Sequence, residues 1–308
     1  MKKTNFIDKG NWYKGNTHLH TTRSDGKKSP EEAIKQYRNL GYKFFVMSDH
    51  RIYFDSTELD KEDFLVLSGI ELNTNRVDDG YSTHHVTGLK KYKETKEYKN
   101  NQKFETLFWD DEFGHAITNK LIKEANEHDN FTILAHPQWS CSFPEELLEL
   151  KDFDAIEVWN QECEAASATG NGEYYYDYLL KKGKHIFAIA SDDVHSYRDV
   201  AIGGFIVVKA KEFTKESIAH AIVDGSYYSS TGPHINEFYI EDNTVYAKGS
   251  QCESIKLIFH YRGKTFYGSN NEGISEIQYE LKGNEKYVRC EFINSNGKKA
   301  WSNPLFLD

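Results

Sequence analysis

Histidine, aspartate and glutamate recur through the first two-thirds of the chain in an order that suits metal binding. His18 and His20 are separated by one residue, and Ser24-Asp25-Gly26 follows them. Asp49-His50 ends an apolar run at 44–47, Glu71 follows a second at 64–67, and His84-His85 lies soon after. His136 follows the run at 131–134, Glu157 and Asn160 lie within and at the end of 155–160, and Asp192-Asp193 and His195 follow 186–189. Imidazoles and carboxylates without cysteine suit borderline-to-hard divalent ions such as Zn, Mn or Fe. These candidates outnumber the ligands of one ion. The pattern therefore implies two or three ions, with Glu71 and Asp193 as bridging carboxylates at the spacing of two-metal hydrolases. The four cysteines (141, 163, 252 and 290) form no CxxC pair, so no structural zinc site is signalled. His115, His128, His185, His220 and His260 have no partner pattern and read as ordinary helix, surface or strand residues, and His234 reads as structural.

Polar residues that follow apolar runs need strands to bring them together. The runs at 44–47, 64–67, 131–134, 155–159, 186–189 and 205–208 are short and continuously apolar, as expected of parallel strands covered on both faces. Helix signals lie between them. Ser29-Pro30-Glu31-Glu32 is a capping-box start that predicts a helix to Leu40 with Gly41 after it. Further helices are predicted at 115–129, at 173–182 before Gly183, and from Thr214 to Asp224 before Gly225. This alternation predicts an α/β fold whose C-terminal strand ends converge on one mouth. From about Ile235 onward only short alternating segments remain, separated by turn signals at Asp242-Asn243, Arg262-Gly263, 282–284 and Asn296-Gly297. Residues 235–308 therefore read as a small all-β, sandwich-like domain.

The string from His18 to Gly26, with Ser48-Asp49-His50 closing the first unit, resembles the PHP (polymerase and histidinol phosphatase) superfamily. The resemblance continues through Gly69-Ile70-Glu71, His85 to Leu89, Ala135-His136-Pro137 and Asp193-Val194-His195. Gly203-Gly204-Phe205, the segment 227–233 and the ending Ala300 to Pro304 look like the CehA/McbA-type branch, which carries a β domain after its barrel. The resemblance implies a distorted (β/α)7 TIM-like barrel over residues 1–234. It also implies a metal-ligand set of His18, His20, Asp25, His50, Glu71, His85, His136, Asp193 and His195. His85 is chosen over His84, and Asp193 over Asp192, on the family pattern; the neighbours and Asp49 are left to orient the ligands.

The implied reaction is hydrolysis of a small phosphorylated substrate by a metal-bridged hydroxide, with Asp193, His195 and His50 as catalytic groups. Arg23, Arg51, Arg76 and Arg198 lie in or just after the metal motifs, and arginine binds phosphate bidentately. Arg23, Arg51 and Arg198, with Asn160, are the expected substrate contacts; Glu157 is open between substrate binding and packing. Cleavage of amide or carboxyl-ester bonds at the same site, or a non-catalytic metal-binding module, are the alternatives.

Composition sets the outer bounds. With 38 basic and 48 acidic residues the 308-residue chain carries a net charge of −10, and no basic block is present. General nucleic-acid binding is not expected. No apolar run reaches the ~20 residues of a membrane helix. The segment MKKTNFIDKGNWYKG lacks the apolar stretch of a secretory signal, so a cytoplasmic location is expected.

Overall fold

A computed structural model describes residues 2–73, 84–93, 98–104, 114–269 and 272–307. Strands β1 (Asn11–Asn16), β2 (Phe44–Met47) and β3 (Leu65–Asn73) run parallel. β4 (His85–Lys90) runs antiparallel to β3 and to β5 (Asn130–Leu134), and β6 (Ala155–Asn160) and β7 (Phe187–Ser191) continue parallel to β5. The expected all-parallel arrangement is thus broken at β4. The stretch 74–84 between β3 and β4 is shorter than the dozen or more residues a parallel crossover requires. Reversal puts the first residue of β4, His85, at the same end as the last residues of its neighbours.

Past their ladders, β1 and β7 meet. The Asp193 N–H donates to the His18 carbonyl at 2.8 Å and the His20 N–H to the Val194 carbonyl at 3.1 Å, with Leu19 and Val194 in a parallel bridge. Before that point β1 pairs instead with β8 (Phe205–Ala210), which is antiparallel to it and to β9 (Tyr227–Ser230). The 205–208 run is therefore apolar because both its faces are covered, not because it is parallel. Along β7 the gap toward β9 is spanned by side chains. Ser229 Oγ accepts from the Ala190 N–H and donates to the Ala188 carbonyl, both at 2.9 Å, and Asn303 Oδ1 accepts from the Ala188 N–H at 3.0 Å.

The strands are buried on both faces. Phe44, Val46, Leu67, Ile133 and Ile189 share one cluster with Ile218 and Ile222 of a helix at 215–223. Their neighbours Phe45 and Met47 belong to a second cluster with Ile34 and Tyr37. The helices are α1 (Pro30–Asn39), α2 (His115–Glu127), α3 (Pro144–Leu148), α4 (Gln161–Ser167), α5 (Glu173–Lys181) and α6 (Lys215–Val223). The expected capping box of α1 is present, Thr214 caps α6, and Gly41, Gly183 and Gly225 all take positive φ after their helices. The short helices α3 and α4 escaped the sequence reading.

In the tail, β10 (Ile235–Glu241), β11 (Thr244–Cys252) and a strand at 274–280 form a three-stranded antiparallel sheet. The β10–β11 turn places both Asp242 and Asn243 at positive φ, as a two-residue hairpin of this kind requires. β12 (Ser254–Phe259), β13 (Gly263–Tyr267), β14 (Ile274–Glu280), β15 (Tyr287–Ile293), β16 (Lys299–Ser302) and β17 (Leu305–Phe306) complete the tail. The second tail sheet is continuous with the first sheet, because β16 pairs with β9. β15 is buried almost throughout because its outer face packs on α5. There Arg289 bonds Asp177 Oδ1 through Nε (2.9 Å) and Nη2 (2.6 Å), and Glu291 through Nη1 (2.7 Å). Glu173 accepts from Lys299 Nζ at 2.6 Å and Trp301 Nε1 at 3.1 Å.

Candidate metal centre

All nine residues of the expected ligand set meet at one end of β1–β7. Glu71, fully buried on β3, lies at the centre. Its Oε2 is 3.3 Å from His18 Nε2, 3.2 Å from His20 Nε2 and 2.9 Å from His50 Nδ1. Its Oε1 faces the other way, 2.9 Å from His85 Nδ1 and 3.5 Å from His136 Nε2. Asp193 Oδ1 is 3.1 Å from both His18 Nε2 and His20 Nε2, and its Oδ2 is 3.7 Å from His136 Nε2. Asp25, more exposed, stands 3.5 Å from His195 Nε2, 3.7 Å from His20 Nδ1 and 3.8 Å from His50 Nε2.

These contacts resolve into three overlapping groups: His20, Asp25, His50 and His195; His18, His20, Glu71 and Asp193; and His50, Glu71 and His85. Within each, the candidate ligand atoms lie within 4.8 Å of one another. Glu71, His20 and His50 each belong to two groups, the sharing that closely spaced ions require.

Hydrogen bonding at the edge of the cluster leaves lone pairs pointing inward. His195 Nδ1 is 2.9 Å from the Asp193 carbonyl, which can only accept, so the proton sits on Nδ1 and Nε2 is bare toward Asp25. His18 Nδ1 donates to Glu157 Oε1 at 2.8 Å, which leaves its Nε2 bare toward Glu71 and Asp193 when the ring is neutral. Glu71 Oε2, His20 Nδ1 and His50 Nδ1 are buried, yet none is aligned with a hydrogen-bond partner. Buried polar atoms without partners are costly, and a divalent ion would satisfy them. The residues present therefore fit the metal cluster that the resemblance implies.

The electrostatics agree. Burial would lower the pKa of His20, but Asp193 and Glu71 outweigh it and raise the value to about 10. His18 behaves likewise: burial opposes, but Asp193, Glu71 and Glu157 carry it well above the usual histidine range. Burial would raise Glu71, but His50, His18 and His85 hold it well below the usual carboxylate range. The site concentrates carboxylate charge that must be met by protons or by cations. Local backbone strain also gathers here, since His136 (φ 28°), Asp193 (φ 53°) and Arg51 (φ 54°) are non-glycine residues at positive φ.

Hydrogen-bonded side chains surround the cluster. Glu157 accepts four hydrogen bonds, from His18 Nδ1, Ser191 Oγ (2.5 Å), the His136 N–H (2.8 Å) and Asn160 Nδ2 (2.9 Å). Its role is thereby positioning. Asn160 gives its second amide hydrogen to Asp193 Oδ2 at 3.0 Å, and its oxygen caps α4 at the Cys163 N–H. Both amide hydrogens of Asn160 are thus engaged within the protein, and Asn160 is fully buried and does not line the cleft. Asp49 accepts from the backbone and hydroxyls of Thr21 and Ser24 and so holds the loop that carries Asp25. Asp192 turns away, to Tyr37 and the N–H groups of Gly203 and Gly204, and burial pushes it up to about 7. His84 also turns away, to Thr118.

Of the expected arginines, the described ones, Arg23, Arg51 and Arg198, do not line the cleft. The cleft over the cluster, about 310 Å3, is lined by Asp25, His50, Glu71, His85, His136, Trp139, Glu162, Cys163, Ala166, Asp193 and His195. Among the described residues no arginine or lysine lines it. The Arg23 guanidinium lies 3.8 Å over the Phe54 ring and bonds Asn101. Arg198 is exposed and reaches Ser196, and Arg51 is absent from the lining. Arg76 lies outside the described residues. Sequence reasoning also missed Glu162, which accepts from the N–H groups of His195 and Ser196, and Trp139. Only their places in the segments that follow β6 and β5, respectively, could have flagged them.

No family profile matches the chain, and no curated protein does. Among solved structures it is similar to a two-domain protein from Bacteroides vulgatus that contains a predicted PHP-like metal-dependent phosphoesterase, with a TM-score of 0.52 and 15% identity over 94% of this chain and 92% of that one. That likeness bears on the fold, which is mixed α/β with a second part. A protein from Bifidobacterium adolescentis that bears the name of a metal-dependent phosphoesterase (TM-score 0.38, 15% identity, 59% of this chain, 87% of that one) is more distant. So is an amidohydrolase from Chromobacterium violaceum with bound sulfate (TM-score 0.40, 13% identity, 59% and 88%). Neither of these two adds to the fold assignment.

Proposed function

We propose that the chain is a metal-dependent phosphoesterase acting on a small phosphorylated molecule. The observation that carries this is the sharing of Glu71, His20 and His50 between groups of inward-facing donors at the bottom of an open cleft. The ligands would be the nine residues named above, for two or three ions of Zn, Mn or Fe. Bound ions would supply Lewis acidity toward a phosphoryl oxygen and a nucleophile at neutral pH.

The chain's own residues position and shuttle protons. Glu157 and Asn160 fix His18 and Asp193. His195, held below the usual histidine range by burial and by His20, is neutral at pH 7, with Nε2 available at the rim of the cleft. His50, His195 and Asp193 line the cleft and take the catalytic roles in this reading. The fold reading belongs to the same proposal. Residues 1–234 form a distorted seven-stranded barrel, supported by the bonds between the β1 and β7 extensions and by the shared interior cluster. Residues 235–308 follow as the β domain of the CehA/McbA-type branch. A cytoplasmic location belongs to the same proposal, and no disulfide is present among the described residues. Among the described residues no helix is long and apolar enough to cross a membrane.

A second reading, hydrolysis of an amide or carboxyl ester, is favoured by the lack of cationic side chains among the described residues of the cleft. One experiment separates the two. The protein is loaded with Mn, Zn or Fe and offered a phosphomonoester, a phosphodiester, an aryl carboxyl ester and an aryl amide, with a chelator control. Chelator-sensitive phosphate release is expected. Turnover of the ester or amide alone would replace the first reading by the second.

A further inference from the structure

The wall of the cleft beside the metal cluster carries a large aromatic ring that the metal chemistry does not use. Trp139 is 46% exposed, although it lies against two residues of the site. Its ring meets His136 at 4.8 Å and 76° and His85 at 5.5 Å and 62°, so both imidazoles are set edgewise to it. The loop that carries the ring is tied down by hydrogen bonds. The Ser140 N–H donates to the His136 carbonyl, the Cys141 N–H to that of Gln138 and the Ser142 N–H to that of Pro137, while Gln138 Oε1 accepts from the Asn171 N–H. Other parts of the lining are Cys163 and Ala166, and the Glu162 carboxylate is already engaged by the N–H groups of His195 and Ser196. With no lysine or arginine among the described lining residues, this part of the cleft carries no fixed cationic side chain for a second anionic group.

We infer that Trp139 is a specificity-determining residue and that the body of the substrate, beyond the hydrolysed group, is planar, apolar and uncharged. Such a body stacks on the exposed indole and removes its apolar face from water. The inference rests on the phosphoesterase reading for the identity of the anchored group, but its test does not require turnover.

Phenylphosphonate and methylphosphonate share the metal-seeking group and differ in the planar body. Their dissociation constants for the metal-loaded protein are measured by calorimetry, alongside metal content. The wild type is expected to prefer the phenyl compound by about three- to tenfold, the range of one aromatic contact. Trp139→Ala is expected to bind both equally, and Trp139→Phe to keep most of the preference. Absence of preference in the wild type, binding of neither compound, or a preference that survives in Trp139→Ala would overturn the inference. So would equal weakening of both compounds in Trp139→Ala with their ratio unchanged, because that marks a ring that only props His85 and His136. If the wild type releases no phosphate from any ester yet shows the phenyl preference, the phosphoesterase reading fails while this inference stands.

Discussion

Replacing Glu157 by glutamine changes one atom and removes one charge, and the structure dictates where the consequence falls. Glu157 Oε2 receives the His136 N–H and an Asn160 amide hydrogen. Neither donor can reverse, since the first is backbone and the Asn160 oxygen is fixed by the Cys163 N–H. The new amide nitrogen must therefore face His18 Nδ1 and Ser191 Oγ, which now bond Oε1 at 2.8 and 2.5 Å. The serine hydroxyl turns to accept. His18 can accept only by moving its proton from Nδ1 to Nε2, the atom that points at Glu71 and Asp193. The substitution thus places a proton where a metal ion would bind. Loss of an orienting partner of this kind costs about 10- to 100-fold in metal affinity, or ~1.4–2.7 kcal/mol. Competition against a chromophoric chelator measures it, with circular dichroism to show that the fold is kept. Unchanged affinity in a folded Glu157→Gln protein would refute the tautomer argument.

Other expectations follow from the same geometry. In the metal-free protein His20 is raised to about 10 and His18 also upward, so protons must leave before an ion binds. Metal affinity should rise with pH from the ordinary histidine value of 6.5 toward 10, and a flat profile would contradict the assignment. These protonated rings also stabilise the metal-free fold fully below 6.5 and progressively less as pH climbs toward 10, so its melting temperature should fall over that window. Arg289→Met leaves Glu291 buried without its cation, and denaturant titration should show a loss of about 3–5 kcal/mol with metal content unchanged. Arg51→Ala should leave KM for a phosphomonoester unchanged, because Arg51 is absent from the cleft lining; a clear rise would restore it as a phosphate contact.

Much of the site is legible because His50, Glu71, His136, Asp193 and His195 follow apolar runs, and strand ends converge whatever the loops between them do; His18, His20, Asp25 and His85 come from the family resemblance instead. Direction was not legible. The apolar pattern of a buried strand is the same for parallel and antiparallel neighbours, so the 205–208 run reads as a buried strand but not as an antiparallel one, and β4 carries no apolar run that marks it as a strand. The arginines are a different case. Proximity in sequence to a metal motif does not set where a long side chain points, and Arg23 turns to Phe54. Asn160 and Glu157 depend on contacts from β1, β5 and β7, which no local pattern contains. The continuity of the tail with the rest of the sheet rests on Trp301 facing Ser229 across two distant segments, a pairing that propensity does not encode.

In the proposed cluster one carboxylate, Glu71, is shared by ions on both of its sides. Metal content of the purified, metal-replete protein tests it directly when wild type is compared with Glu71→Gln and Asp25→Asn. Because Glu71 faces His18, His20 and His50 through one oxygen and His85 and His136 through the other, Glu71→Gln should lose more than one ion while Asp25→Asn loses no more than one. A Glu71→Gln protein that keeps the full wild-type complement would contradict the shared cluster.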